Sequence, residues 1–166
     1  MSMVKNQSTI SEQEVNLTRA AIEHRATWMA LIFEETKKSD CNCDVEKIFR
    51  NAIKKCGNIH GLGFKAACAD PTSMEDFCKA FLTENGKKNF EMEITGVDKD
   101  NLKIEFHYCP LLNAWKKLGI PAEEFPLLCD MAMDGDRGIA QSMGVTLDLP
   151  ETIAKGDSVC KLHFHK

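Results

Sequence analysis

The stretch FEMEITGVDKDNLKIEFHYC (90–109) decides the fold class of this 166-residue chain. On both sides of the polar turn at 98–101, apolar side chains alternate with polar ones, which is the period of a half-buried strand. Because only a short polar loop separates the two runs, the stretch predicts a β-hairpin. Pro110 ends the second run, since proline has no N–H to give to a strand ladder.

Most of the remaining chain has helical spacing, apart from a third alternating run over 160–164. Asp44 is expected to begin a helix that ends before Gly57 and is followed by a loop over 58–72, and a helix after Ser73 is expected to end at Gly86. We predict an α+β fold, with about five to six helices packed on one face of a small antiparallel sheet of three or more strands. Residues 1–10 are predicted to be a disordered tail and 11–166 a single domain.

The bulk composition argues against several classes of function. A net charge of −4 gives no electrostatic reason to expect binding to nucleic acid or to an anionic membrane. The longest apolar run, 28–33, is far too short to span a bilayer, and no basic segment followed by an apolar one marks the chain for secretion. We therefore expect a cytoplasmic protein that acts on a small molecule. A homodimer is compatible with the sequence, which leaves the oligomeric state open.

Eight cysteines are the most unusual feature of the composition. They form no CxxC pair, and we interpret them as reduced thiols, with Cys56 and Cys78 in the core because each lies on an apolar helix stripe. Cys109, Cys129 and Cys160 lie among aspartates and histidines, where a thiol can do chemistry, hold a metal or simply be buried. Strand alternation points Cys160 towards the core, whereas Cys109 shares the polar face unless the chain bends at Pro110.

Two further groups are candidates for binding. The turn that contains Asp136 and Arg137 is flanked by glycines that allow a ligand to approach the backbone, and its opposite charges suit a small zwitterion. The alternative interpretation of this turn is that its carboxylates form a solvated acidic patch on the surface. His107, His163 and His165 share the polar parity of their strands, so a divalent metal is an open option, although such a pattern is more often a solvated strand face and no cofactor is required.

Three motifs resemble one known family, the L-2-amino-thiazoline-4-carboxylic acid hydrolases. They are CPLLxAWxxLG (109–119), LCDxAMxGDRG (128–138) and GDxVCxLxF (156–164), with a weaker match around His24-Arg25-Ala26. The resemblance implies a hydrolase that opens a cyclic C–N bond in an amidine-like thiazoline ring and gives N-carbamoyl-cysteine.

The chemistry of that reaction suggests roles for the motif residues. Cys109 is a candidate nucleophile with His107 or His24 as its base, although a base that activates water directly is the alternative. Asp136 would hold the amidinium group and Arg137 the carboxylate, and the pocket lining would come from Cys129, Cys160, His24 and Trp115. A competing hypothesis is a non-catalytic small-ligand-binding or thiol-sensing domain, which would have buried, inert thiols.

Overall fold

The computed structural model describes residues 4–40 and 42–166. Four strands form its sheet: β1 (Met92–Val97), β2 (Asn101–Phe106), β3 (Thr146–Asp148) and β4 (Cys160–His165). The helices of the described residues are α1 (Gln13–Lys38), α2 (Val45–Ala67), α3 (Met74–Phe81), α4 (Glu84–Phe90), α5 (Pro110–Lys117), α6 (Phe125–Ala132) and α7 (Asp134–Met143), with single 3₁₀ turns at Ala122–Glu124 and Ile153–Lys155. The predicted α+β class is confirmed.

The sheet is antiparallel, with the strand order β1-β2-β4-β3. The predicted hairpin is β1 with β2, and β4 pairs with β2 so that Phe106 lies opposite Cys160 and Leu102 opposite Phe164. These four side chains are buried among the apolar residues of the helices. The alternate positions of β2 and β4 are more exposed, so one face of the sheet carries the core and the other meets solvent.

Helix α2 continues to Ala67, well beyond its predicted end before Gly57, because Gly57 does not end it. Gly57 and Gly61 are buried in mid-helix, where they let α2 approach α7 closely. A β-carbon added to Gly61 would lie 2.7 Å from the β-carbon of Ser142 and 2.9 Å from the Ile139 backbone. These glycines are therefore packing residues, and the predicted loop over 58–72 is wrong up to Ala67.

The segment before the hairpin also differs from its prediction. Helix α3 ends at Phe81, and Gly86 lies inside the separate helix α4, where its N–H donates to the Thr83 hydroxyl at 3.0 Å. Phe90 belongs to α4 and not to a strand. Glu91 adopts a left-handed backbone conformation (φ 51°) that ends α4 and turns the chain into β1.

The segment before α1 makes specific hydrogen bonds to the body of the domain. Ser8 and Thr9 donate to the Glu91 carboxylate at 2.7 to 2.8 Å, and Arg19 donates to the Ile10 carbonyl at 2.8 Å. Arg19 and Glu91 are themselves paired at 3.0 Å, and both side chains are buried. Residues 1–3 of the predicted tail lie outside the described residues.

Among the described residues, none of the helices combines the length and the hydropathy that a membrane crossing requires.

Candidate functional site

Cys109 lies at a bend between the sheet and the helices. Strand β2 ends at Phe106, and Cys109 is the cap residue before Pro110, the first residue of α5. The side chain of Asn6 holds this turn in place, since it donates to the Cys109 carbonyl at 2.9 Å and accepts from the Cys109 N–H at 2.8 Å. Cys109 is thus released from strand alternation, as the proline had suggested.

The bend brings three cysteines into one cluster, which we call the thiol cluster: Cys109, Cys129 on α6 and Cys160 at the start of β4. The three are electrostatic neighbours, and Cys129 and Cys160 are almost fully buried. Ile153 donates its backbone N–H to the Cys160 sulfur at 3.3 Å. Cys109 and Cys160, which lie far apart in sequence, are therefore both close to Cys129 of α6.

Burial raises the pKa of each thiol in the cluster. The pKa of Cys109 rises to about 11, although the backbone N–H groups of Leu111 and Leu112 partly oppose the shift. The pKa of Cys160 rises to about 12, and that of Cys129 is raised as well, in both cases mainly by burial and further by the neighbouring thiols. All three thiols are protonated at neutral pH.

Asp136 is the carboxyl group best suited to proton transfer. It lies in the first turn of α7, where burial raises its pKa to about 6 against the opposing charges of Arg25 and Arg137. A base with a pKa just below the working pH is ionised and still able to accept a proton.

Arg137 is already engaged within the protein. Its guanidinium group contacts Asp130 at 2.5 Å and Asp134 at 2.8 Å, and Arg50 of α2 binds the same two carboxylates at 2.8 and 3.0 Å. This network joins α2, α6 and α7. The use of Asp136 and Arg137 to bind the two ends of a zwitterion stays a prediction, and Arg25 of α1 is a second cation that acts on Asp136.

The other residues predicted for the site lie elsewhere. His107 is on the exposed side of the sheet, with its Nε2 3.4 Å from the Glu93 carboxylate. His24 is exposed on α1 and accepts a hydrogen bond from the Trp28 indole at 2.9 Å. Trp115 is fully buried, and its indole N–H donates to the Ala26 carbonyl at 3.2 Å, which ties α5 to α1.

A cavity of about 430 Å³ was missed by the sequence reasoning. Within it Glu23 accepts hydrogen bonds from Lys117 at 2.6 Å and from Asn113 at 2.7 Å, and Tyr108 precedes Cys109 in the chain. Glu23 directly precedes the His24-Arg25-Ala26 motif, so this motif is the sequence signal that could have located the cavity. The residues that line the cavity are Ser8, Ile10, Ser11, Asn16, Arg19, Ala20, Glu23, Tyr108 and Lys117.

The cysteines outside the cluster fall into different environments. Cys78 is buried, as predicted, but Cys56 is exposed on α2, because the buried side of that helix is the one that carries Gly57 and Gly61. Cys56 is also 3.9 Å from the Nε2 of His60. Cys43 is disulfide-bonded, so the prediction of a reduced thiol is wrong for that residue.

Comparison with a solved structure supports the fold, and comparison with family models shows the family. The chain is similar to a trafficking protein particle complex subunit 3 from Naegleria fowleri covalently bound to palmitic acid, with a TM-score of 0.55 and 12% identity over 90% of this chain and 95% of that one. No curated protein sequence matches the chain.

The model of one protein family matches residues 19–164, which include the thiol cluster and Asp136. That span covers nearly the whole chain. The chain belongs to the L-2-amino-thiazoline-4-carboxylic acid hydrolase family.

Proposed function

We propose that this protein is a hydrolase that opens the ring of a small cyclic amidine of the 2-amino-thiazoline-4-carboxylate type. The observation that carries the proposal is the family match over 19–164, which includes all three cysteine motifs and the Asp136 turn. A partly buried carboxyl group with a raised pKa inside that span, Asp136, supports it, because such groups are typical of hydrolytic sites.

The balance of atoms defines the bond that breaks. Water adds its oxygen to the ring carbon that lies between sulfur and nitrogen, and one of its protons passes through the base to the ring nitrogen as the carbon–nitrogen double bond becomes a single bond. The carbon–sulfur bond then breaks, the proton of the new hydroxyl group goes to the departing sulfur, and both nitrogens stay on the new carbonyl carbon. A product that is N-carbamoyl-cysteine therefore requires C–S cleavage, which corrects the C–N cleavage that we expected from the sequence.

The pKa values favour activated water over a thiol nucleophile. With a pKa of about 11, roughly one Cys109 thiol in 10,000 is ionised near pH 7. The Asp136 carboxylate, with a pKa of about 6, is mostly ionised there. We assign Asp136 the role of base, and the protonated thiols the role of apolar lining for the substrate sulfur.

The substrate carboxylate needs a cation that is not already engaged. Arg137 is bound to Asp130 and Asp134, whereas Arg25 acts on Asp136 from α1. We assign carboxylate recognition to Arg25. Its charge also keeps the pKa of Asp136 from rising further.

A ring-opening assay on purified variants tests these roles. We expect Asp136→Asn to lower kcat by about 100-fold or more, as loss of a general base does, and Cys109→Ala to keep most of the activity. Asp130→Asn is the matched control, because this carboxylate lies in the Arg137 network. Loss of activity in Cys109→Ala with retention in Asp136→Asn would reject activated water in favour of a thiolate. Activity lost only with a chelator would show that a metal polarises the water.

A second candidate function is a small-ligand-binding domain without turnover. The protonated, buried thiols favour it, since inert thiols are what such a domain requires. The fold shared with a protein that holds covalent palmitic acid adds weight to this candidate. An intact mass of the purified protein above that of the polypeptide, together with no ring opening, would support it. The bare polypeptide mass with turnover would rule it out.

A further inference from the structure

The solvent face of the sheet carries two histidines and an aspartate at one place. His163 and His165 are alternate residues of β4, so both point to the same face, and Asp148 of β3 lies directly opposite His163. The two imidazole rings have their centroids 4.7 Å apart. One potential ligand atom from each of the three residues lies within 4.8 Å of the others.

The hydrogen bonds of His165 fix where its proton lies. Its Nδ1 is 3.1 Å from the main-chain oxygen of Lys166, which can only accept, so Nδ1 carries the hydrogen. In the neutral ring the lone pair of Nε2 then faces the Asp148 Oδ2, 3.0 Å away. Two lone pairs at that distance repel each other unless a positive charge stands between them.

His163 is oriented by a similar argument. Its Nε2 is 2.9 Å from the Asn101 Oδ1. The Asn101 amide nitrogen donates to both oxygens of Asp98, at 3.1 and 3.2 Å, so the amide oxygen is the atom that faces the imidazole. Nε2 therefore carries the hydrogen, and the lone pair lies on Nδ1.

We propose that Asp148, His163 and His165 bind one divalent transition-metal ion of the zinc class, with a fourth position left for water or another ligand. Two imidazoles and a carboxylate are a ligand set that zinc accepts. Each histidine also donates its one N–H, on the nitrogen that would not bind the metal, to an oxygen, which is the outer-shell arrangement of metal-binding histidines. The site lies on the face of the sheet opposite the thiol cluster, so the proposal does not depend on the proposed hydrolase function.

A second group on this face serves as an internal comparison. Glu93, Glu105 and His107 also lie close together, but they supply one imidazole and two carboxylates. A zinc-class ion prefers the group richer in nitrogen, whereas oxygen donors suit harder cations. Lys103 lies opposite His163 on β2 and is exposed, so its ammonium group opposes the ion through its charge and does not block the site.

Calorimetric titration of the chelator-treated full chain with Zn²⁺ tests the proposal. We expect one strong site in the wild type. His165→Ala and the near-isosteric Asp148→Asn should remove it, and Asn101→Ala should weaken it by about 10- to 100-fold through loss of the outer-shell contact. His107→Ala is the matched control and should leave the affinity unchanged, while Lys103→Gln should raise it. Circular dichroism of each variant confirms folding.

Titration with Co²⁺ separates this site from the cysteines, which also bind soft metals. The proposed site predicts ligand-field bands without a thiolate charge-transfer band, and the same spectrum in Cys56→Ser. A thiolate band that disappears in Cys56→Ser, equal affinity in the wild type and His165→Ala, or no strong Zn²⁺ binding at all would each overturn the proposal. The last result would mean that His165 and Asp148 form an ion pair and nothing more.

Discussion

The main-chain oxygen of Gly135 occupies the space where a side chain on Gly57 would begin. A β-carbon added to Gly57 would lie 1.9 Å from that oxygen, and one added to Gly138 would lie 2.3 Å from the Lys54 carbonyl. Helices α2 and α7 therefore touch through their backbones, which no larger residue at these positions allows. The Arg50 and Arg137 network closes one end of the same contact.

Gly57→Ala should destabilise the protein by about 1–3 kcal/mol or more, because the added methyl group meets fixed backbone rather than a side chain that can move. Gly63→Ala is the matched control, since Gly63 lies in the same helix and has nothing within 4 Å of the added carbon. It should stabilise the protein by about 0.5–1 kcal/mol through helix propensity. Urea denaturation measures both changes, and equal effects would contradict backbone contact.

The buried Glu91 carboxylate should make stability fall in acid. Burial alone would raise the pKa of Glu91, but hydrogen bonds from Ser8, Thr9 and Ile10 outweigh it and lower the pKa to about 2. A lowered carboxyl pKa contributes stability above the unfolded-state value, and that contribution, about 3 kcal/mol, is lost as pH falls from about 5 to 2. Glu91→Gln should flatten the pH dependence of the unfolding free energy in that window.

Removal of the buried cation is the complementary experiment. Arg19→Met leaves Glu91 buried without its partner, so we expect a loss of about 3–5 kcal/mol. Lys88→Met, which breaks the exposed pair with Glu12, should cost less than about 1 kcal/mol. Similar losses in the two variants would show that Arg19 does not hold the segment before α1.

Thiol reactivity should follow exposure and pKa. Cys56 is exposed, whereas Cys129 and Cys160 are buried, Cys109 is partly buried, and all three have raised pKa values. An alkylating reagent at neutral pH should modify Cys56 well before any member of the thiol cluster, as peptide mass spectrometry measures. Rapid alkylation of Cys109 would point instead to an activated thiol and to the thiolate mechanism.

Asp136 should reduce stability at neutral pH. Its pKa of about 6 in the folded protein exceeds the ordinary aspartate value of 3.8, so folding becomes less favourable as pH rises from about 4 to 6. Asp136→Asn should therefore raise the free energy of unfolding by about 1–3 kcal/mol near pH 7.5, and change it little near pH 4. Equal stabilisation at both pH values would show that ionisation of Asp136 is not the cause.

Sequence periodicity predicted the sheet well and the helix ends poorly, for one physical reason. The alternation over 101–106 follows from burial of one face of β2, which the sequence displays directly, whereas Ile94 and Val97 of β1 are exposed. Gly57 and Gly86 were interpreted as helix stops because glycine favours the left-handed conformation, yet glycine also serves where two backbones meet or a turn is tight. Only the position of Gly135 opposite Gly57 separates these uses, and that relationship is tertiary.

The candidate site shows the same division. The bend at Pro110 and the inward direction of Cys160 were visible as local patterns, so the meeting of these thiols could be foreseen. The ion-pair network around Arg137 could not be foreseen, because Arg50 lies more than eighty residues away in sequence and binds the same carboxylates. The effect of Arg25 on Asp136 likewise depends on tertiary structure, because the two residues lie more than a hundred positions apart in sequence.

The strand order β1-β2-β4-β3 also sets an order of events during synthesis on the ribosome. Strand β4 lies beside β2, although it is the last strand to be synthesised. When the β1–β2 hairpin leaves the ribosome, the free hydrogen-bonding edge of β2 and its apolar residues Leu102, Ile104 and Phe106 therefore stay uncovered until residues 160–165 have been made. During that interval the nascent hairpin can recruit another chain. We therefore expect versions that stop short of Cys160 to accumulate in inclusion bodies rather than as partly active protein.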